Sequence, residues 1–232
     1  MIEWKAKFLK TFKNLVIRLK STLLLSLSFC LFEYAYAGKK ILIFEDAQTL
    51  GKGGFQNENY LTRKEPKTTE YTFNLTYGLM DRVDVGLNFP FKYTKKLDSS
   101  NVFLDLKWKF FEAGDTKGAF KLSSELPTKE GVVKYGPSLT LQTSFENLSL
   151  YATSFYEFRD KVFSQYASAE WNLTKELSFI ATGFYISEDS QVGMIVGFAL
   201  SKGNWEIALG IQRVFKDKEK ASTLAGLTIR FK

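Results

Sequence analysis

Hydrophobic and polar residues alternate along most of this sequence with a period of two, which is the period of a β-strand. Residues 102–110 show the pattern, because Leu104 and Leu106 alternate with Asp105 and Lys107. Four further segments repeat it, at 83–92, 133–142, 191–200 and 225–231. Across the five segments taken together, one face carries no charged residue, whereas the opposite face carries seven. The pattern predicts strands that lie between an apolar and a polar medium.

Turn signals divide the remaining sequence into segments of similar length, and twelve strands are predicted in all. Residues 53–232 supply about 15 residues for each strand and its turn. An ordinary strand has about 5 to 6 residues, whereas a strand tilted across a bilayer needs about 9 to 11. These strands are therefore long enough to span a membrane. They are predicted at residues 54–64, 70–78, 82–94, 101–112, 117–126, 133–145, 148–158, 161–171, 176–187, 191–201, 204–214 and 221–231.

The connections between the predicted strands alternate between short turns and more polar, mostly longer loops. This alternation is typical of an up-and-down membrane barrel, and an even strand count places both termini on the short-turn side. A lipocalin closes with about eight strands around one small ligand, but twelve long strands enclose a lumen too wide for one layer of side chains to fill. The apolar face should therefore point outward, toward lipid. The predicted fold is all-β: an antiparallel up-and-down transmembrane β-barrel of about twelve strands.

Aromatic residues near the strand ends support an outward apolar face, since membrane barrels carry aromatic girdles at both interfaces. The candidates are Tyr71, Tyr77, Tyr93, Trp108, Tyr135, Tyr156, Trp171 and Trp205. The alternative is that these are ordinary strand aromatics of a soluble barrel. The strand predicted at 176–187 is ambiguous, because Leu177 and Phe179 compete with Ile180 and Phe184 for the outward positions.

The N-terminal segment has the order of a secretory signal peptide. A basic stretch up to Lys20 precedes an apolar run at 23–32, and residues 35–37 (Ala-Tyr-Ala) resemble a cleavage site. The apolar run is too short for a helix across a bilayer, which takes about 20 residues. A lipoprotein signal acylated at Cys30 is the alternative, but the bulky Phe before it argues against that. We predict a cleaved signal peptide at 1–37, a periplasmic N-terminal lead at 38–53 and the barrel at 54–232.

The composition excludes most catalytic chemistry. The sequence contains no His and a single Cys, which lies in the predicted signal peptide. Ser-His-Asp and Cys-His nucleophile systems, His-ligated metals and thiolate zinc sites are therefore excluded. A carboxylate pair such as Glu157 with Glu170 could in principle serve as acid and base, but the spacing shows only that they lie on adjacent strands. We predict no enzyme activity, no catalytic residue, no metal and no cofactor.

Taken alone, the net charge of +7 suggests a nucleic-acid partner. The position of the charges along the chain argues against this interpretation. Residues 1–37 hold six basic and two acidic side chains, and the remainder holds 26 basic and 23 acidic ones. Most of the basic excess therefore belongs to the predicted signal peptide, and no nucleic-acid partner is expected.

The charged residues assigned to the polar face are the candidate functional residues. A charge facing lipid near the bilayer midplane would cost about 2 to 4 kcal/mol, so these side chains require a watery or paired interior. One hypothesis is a conduit with one cationic wall and one acidic wall on the opposite side. The cationic wall would be formed by Lys107, Lys109, Lys121 and Lys134. The acidic wall would be formed by Glu157, Glu170 and Glu206. The alternative is that opposite charges pair across a narrow lumen and close it. The candidates are Asp84, Lys92, Asp105, Lys107, Lys109, Lys121, Glu125, Lys134, Glu157, Glu170, Glu206 and Arg230.

Residues 51–54 (Gly-Lys-Gly-Gly) form a glycine-rich motif that invites comparison with a phosphate-binding loop. The motif lacks the second Gly-Lys-Ser/Thr element and a following helix. We interpret it as a flexible lead into the first strand.

Two stretches resemble a known family of membrane proteins. Residues 46–56 (DAQTLGKGGFQ) and 77–91 (YGLMDRVDVGLNFPF) resemble the opening of the outer-membrane barrels named for the meta-pathway of phenol degradation. The C-terminal residues Gly226, Ile229 and Phe231 resemble an outer-membrane assembly signal, although one further residue follows the aromatic. The resemblance implies an outer-membrane barrel of a gram-negative bacterium that acts as a transporter.

These observations predict a porin-like transporter or channel that passes small solutes through a polar, charge-lined lumen in the cell outer membrane. The alternative is a structural or adhesive outer-membrane barrel with a closed, salt-bridged interior. The expected partners are outer-membrane lipids, the barrel-assembly machinery and a small solute whose identity the sequence leaves open.

Overall fold

A computed structural model describes the predicted barrel and part of the lead that precedes it. The predicted signal peptide lies outside the described residues, as does the start of the lead. The described part of the chain contains no helix that is long and apolar enough to cross a membrane. The described residues are 42–43, 45–64, 68–93, 97–99, 101–127, 132–215 and 221–231.

The described residues form antiparallel strands joined by turns and loops, with one short 3-10 turn among them at Glu188–Ser190. Eleven of the twelve predicted strands differ from the observed ones by one or two residues at one or both ends, and the strand at 221–231 coincides with the observed one. The strands are β1 (Phe55–Lys64), β2 (Thr68–Met80), β3 (Val83–Tyr93), β4 (Leu97–Ser99), β5 (Val102–Ala113), β6 (Thr116–Leu126), β7 (Lys134–Phe145), β8 (Leu148–Glu157), β9 (Val162–Asn172), β10 (Leu177–Ile186), β11 (Gln191–Lys202), β12 (Trp205–Val214) and β13 (Ala221–Phe231).

The long strands close into a barrel because β1 pairs with β2 on one side and with β13 on the other. Each remaining long strand pairs with its neighbours in chain order, and β3 pairs directly with β5. The three-residue β4 adds to β3 within the connection to β5 and is not a wall strand. The wall therefore has the twelve antiparallel strands of the predicted up-and-down barrel, which confirms the predicted fold.

The two faces of the sheet differ as the alternation predicts. In β5, Leu106 and Trp108 are 47% and 52% exposed on the outer face, whereas Lys107 between them is 6% exposed and faces the lumen. Polar side chains on other strands, such as Gln142 and Thr153, are likewise buried on the inner face. Aromatic side chains exposed on the outer face include Tyr77, Tyr93, Trp108, Tyr135, Trp171 and Trp205.

The structure resolves the ambiguous strand, which is β10. Ile180 and Phe184 are buried and face inward, whereas Phe179 packs on the outer face against the ring of Phe198 at 5.3 Å between centroids. Ile180 faces inward because the lumen itself contains an apolar cluster at this height. Local alternation could not reveal that cluster, since part of it comes from a segment that precedes the barrel.

Candidate functional site: the lumen and the N-terminal plug

A segment of the chain that precedes β1 lies inside the barrel. We define the N-terminal plug as the described residues of 42–50. At one end of the plug, the Thr182 hydroxyl donates a hydrogen bond to the carbonyl oxygen of Leu42. At the other end, the backbone N–H of Leu50 donates to both carboxylate oxygens of Asp84, at 3.0 and 3.2 Å. The sequence analysis placed residues 38–53 in the periplasm, whereas the structure places the described residues 42–43 and 45–50 inside the barrel.

The glycine-rich motif is the turn that links the plug to the barrel wall. Gly51 and Gly53 have φ values of 76° and 81°, in the left-handed region that favours glycine. Gly53 donates a backbone hydrogen bond to Gly78 at 2.8 Å, and Gly78 donates to Gly54 at 2.8 Å. The motif is therefore a defined turn pinned to the end of β2. The motif is therefore not a phosphate-binding loop, and the interpretation as a flexible lead is wrong as well.

Leu42 anchors one end of the plug in an apolar cluster on the inner wall. Its side chain is fully buried among residues of β8 and β10–β13. Two glycines make room for it: a Cβ on Gly197 or Gly210 would lie 2.9 or 2.4 Å from a Leu42 methyl carbon. The cluster consists of Leu42, Ile43, Tyr151, Ile180, Ala199, Ala208 and Leu224.

Two acidic residues anchor the plug to the opposite wall. Lys107 Nζ lies 3.1 Å from Glu45 Oε1 and 2.9 Å from Asp46 Oδ1. The second Glu45 oxygen forms an ion pair with Lys121. Lys107 and Lys121 are direct cross-strand partners on β5 and β6, about half a turn around the barrel from the wall that holds Leu42. The plug therefore crosses the lumen from wall to wall.

Beside the plug, the lumen keeps a cavity of about 660 Å³. Much of its lining is amide, hydroxyl and carboxylate, including Gln56, Thr76 and Asn88. The Asn74 side-chain oxygen is buried without a hydrogen-bond partner among the described atoms, while its amide nitrogen donates to Glu58 at 2.7 Å.

The structure brings together seven of the twelve charged residues predicted to line the lumen. Six acidic and three basic side chains of the described residues line the cavity, and two of the acidic ones belong to the plug. The predicted residues at the cavity are Asp84, Asp105, Lys107, Lys121, Glu170, Glu206 and Arg230. The predicted residues away from it are Lys92, Lys109, Glu125, Lys134 and Glu157.

Three of the residues away from the cavity bond to groups close to them along the wall. Lys109 pairs with Glu112 at 2.7 Å, and Lys134 pairs with Asp160 in the connection between β8 and β9. Glu157 accepts backbone hydrogen bonds from that same connection, at 2.8 and 2.7 Å. The four lysines therefore do not act as one cationic wall, since only two of them meet at the cavity.

The acidic residues of the opposite wall also have nearby donors. The Tyr151 hydroxyl donates to Glu170 at 2.7 Å, and the Ser201 hydroxyl donates to Glu206 at 2.9 Å. Among the described residues, no group of three or more His, Cys, Asp or Glu side chains is placed to hold a metal ion. The chemistry of the site is that of reversible polar contacts.

The sequence analysis missed the plug and its acidic residues, Glu45 and Asp46. One signal was present: residues 41–44 read Ile-Leu-Ile-Phe immediately before the acidic pair. A solvated periplasmic lead has no reason to carry four consecutive large apolar residues. Such a run indicates a segment that is buried somewhere, although the sequence does not say where.

Comparison with known proteins gives similarity in fold alone. No family model matches the sequence, and no curated protein matches it. A KdgM porin solved in complex with disordered oligogalacturonate is 12% identical, with a TM-score of 0.63, and the match covers 76% of this chain and 99% of that one. The COG4313 outer membrane channel from Pseudomonas putida F1 is 9% identical, with a TM-score of 0.59 and coverages of 80% and 98%. The NanC porin in a rhombohedral crystal form is 9% identical, with a TM-score of 0.58 and coverages of 75% and 98%.

Proposed function

We propose that this protein is a porin-like channel of the cell outer membrane that passes small polar solutes, and that the N-terminal plug gates it. The observation that carries the proposal is a polar lumen crossed by a segment of the same chain, with a cavity of about 660 Å³ left beside that segment. The three similar barrels are named as porins or as an outer membrane channel, which supports the same function. The resemblance to the phenol meta-pathway barrels stays a prediction.

The contacts of the plug are of a kind that can be made and broken. They comprise ion pairs, hydrogen bonds such as that from the Ala47 N–H to Gln142 at 3.2 Å, and the packing of Leu42. The segment has a single covalent attachment to the described wall, through the turn at Gly51. Release of these contacts would leave a lumen lined by polar side chains, which is what a water-filled conduit requires.

The alternative of a structural or adhesive barrel with a salt-bridged interior has less support. Among the described ion pairs, Lys107 and Lys121 bind the plug, whereas Lys109 and Lys134 bind nearby residues of the wall or its connections. None of these pairs joins opposite walls directly. Closure of the lumen therefore depends on the plug, and a removable plug favours a conduit.

The test compares single-channel conductance in planar bilayers. The protein without its predicted signal peptide is compared with a variant in which residues 42–50 are replaced by a Gly/Ser linker of equal length. We expect rare or small openings in the first protein and a stable conductance several-fold larger in the second. Absence of both conductance and solute flux in both proteins would overturn the channel function and favour the structural barrel.

The same preparation tests location and partners. We propose that the barrel lies in the outer membrane among its lipids and is inserted by the barrel-assembly machinery. Heat-modifiable migration of the protein in the outer-membrane fraction is the expected result, and recovery from a soluble periplasmic fraction would contradict it. That the protein has no enzyme activity stays a prediction.

A further inference from the structure

We infer that Lys107 and Lys121 form a binding site for small dicarboxylates, and that Glu45 and Asp46 occupy this site as an internal mimic of the solute. The inference rests on the proposed function, because it names the solute class and the event that releases the N-terminal plug. A dicarboxylate that replaces the two acidic side chains would remove the anchor on the β5–β6 wall.

The geometry is that of a site for two carboxylates. Lys107 Nζ contacts an oxygen of Glu45 at 3.1 Å and an oxygen of Asp46 at 2.9 Å. The two oxygens are therefore no more than about 6 Å apart. The other Glu45 oxygen reaches Lys121, so one carboxylate bridges both ammonium groups. A short, flexible dicarboxylate can present its oxygens at the same spacing, with charge-assisted hydrogen bonds to both lysines.

The burial of these groups requires that an anion be present. The side chains of Lys107 and Glu45 are each 7% exposed. An ammonium group held in such a place is stable only with a compensating negative charge, since loss of one partner leaves the other buried and unpaired. Departure of the plug exposes both lysines to the water of the lumen, where another anion can replace the plug carboxylates.

The site is reachable while the plug is still bound. Lys107, Lys121 and both plug carboxylates line the cavity, so a solute in the cavity meets the lysines directly. The other acidic residues of the lining have separate donors: Asp84 accepts from the Leu50 N–H, Asp105 from Asn88, Glu170 from Tyr151 and Glu206 from Ser201. Those acidic residues disfavour a general accumulation of anions. Recognition must then be local to the two lysines, which favours a solute whose carboxylates fit between them.

The experiment uses planar bilayers, with succinate as the dicarboxylate probe and succinamide as the neutral control of similar shape. We expect millimolar succinate to raise the open probability about fivefold or more, and succinamide to leave it unchanged. The combined substitution Lys107→Met and Lys121→Met should abolish the response. Lys202→Met, at the exposed end of β11, should preserve it.

A second variant separates the site from the fold. Glu45→Gln combined with Asp46→Asn keeps the shape of the plug and leaves both lysines in place. It should open without succinate, show less than about a twofold further response, and pass succinate more readily than the double-methionine variant does. Heat-modifiable migration establishes that each barrel is folded, and if the methionine variant does not fold, the Gln/Asn variant decides the question.

The outcomes distinguish the two proposals. An equal rise in open probability with succinate and with succinamide would overturn the dicarboxylate site, as would an equally large rise with inorganic phosphate. In either case a linker variant that conducts would still support the channel function. Absence of conductance and of solute flux in both the linker variant and the unsubstituted protein, with or without succinate, would overturn the channel function itself.

Discussion

The carbonyl oxygen of Gly51 lies 1.8 Å from the point where a Cβ on Gly78 would stand. No side chain larger than hydrogen fits at Gly78 while the chain passes over it, and the nearest atoms are all backbone atoms of Gly51. The two glycines therefore set the route by which the N-terminal plug enters the lumen from the short-turn end of β2.

Substitution Gly78→Ala should release the plug while leaving the barrel folded. Overpacking of this kind costs about 1 to 3 kcal/mol, and the turn at residues 51–54 can relieve it by moving away from β2. Ala47, which is buried in the plug, serves as a reporter when replaced by Cys, since the only natural Cys is Cys30 in the predicted signal peptide. A small thiol reagent should label that cysteine about tenfold faster in the Gly78→Ala background.

Gly183→Ala is the matched control, because an added Cβ at that position meets no atom within 4 Å. It should leave the labelling rate unchanged. Equal labelling rates in the Gly78→Ala and Gly183→Ala backgrounds would show that the close approach of Gly51 to Gly78 does not hold the plug.

Leu42→Ala should weaken the apolar anchor of the plug. Truncation of a buried Leu costs about 2 to 5 kcal/mol in a protein core, and a loss of about 2 kcal/mol corresponds to about a 30-fold increase in the released state. Single-channel recordings should show a longer open time than in the unsubstituted protein. Leu209→Ala, on the outer face, should have no such effect, and identical gating in the two variants would contradict an anchoring role for Leu42.

Leu139→Arg tests which medium meets the outer face. Leu139 is 45% exposed near the middle of β7, so an Arg there should lower the free energy of unfolding in lipid vesicles by about 2 to 4 kcal/mol. Leu148→Arg is the control, since Leu148 begins β8 at the short-turn end, where the cost falls to about 0 to 1 kcal/mol. Equal costs at the two depths, measured by urea titration, would argue against a lipid-facing surface.

Tyr151→Phe should destabilise the folded barrel through Glu170. The Tyr151 hydroxyl donates to this buried carboxylate at 2.7 Å, and hydrogen bonds to charged groups contribute about 1.5 to 3 kcal/mol. The loss should appear as a lower urea midpoint with an unchanged slope. Tyr185→Phe, at an outward position of β10, should leave the midpoint in place, and equal midpoints for both variants would show that the Tyr151 hydrogen bond adds nothing to stability.

The sequence predicted the barrel wall well, because the period of two is a local property that each strand repeats. Leu106 and Lys107 occupy opposite faces for the same reason that any adjacent strand residues do. The number and length of the strands then identified the outer face, because a lumen enclosed by twelve long strands is too wide for one layer of side chains to fill. Ile180 was harder to assign, because an apolar residue that faces the lumen can be recognised only once its partner Leu42 is known.

The plug could not be predicted because its contacts join residues far apart in the chain. Glu45 and Lys107 are separated by 62 positions, and Leu42 and Thr182 by 140. No periodic pattern records such pairings. Gly210 presents the same difficulty, since the atom closest to a Cβ added there is a methyl carbon of Leu42, at 2.4 Å.

The turn at Gly51 also fixes how strongly a solute must bind to open the lumen. Glu45 and Asp46 are tethered to the wall by a few residues, so they compete for Lys107 and Lys121 as an intramolecular ligand. A short flexible tether gives an effective concentration of the order of millimolar. A free solute must exceed that local concentration or bind correspondingly more tightly. The tether therefore sets a threshold concentration of solute. Below this concentration the plug stays bound and the lumen stays closed, and above it the solute displaces the plug and the lumen opens.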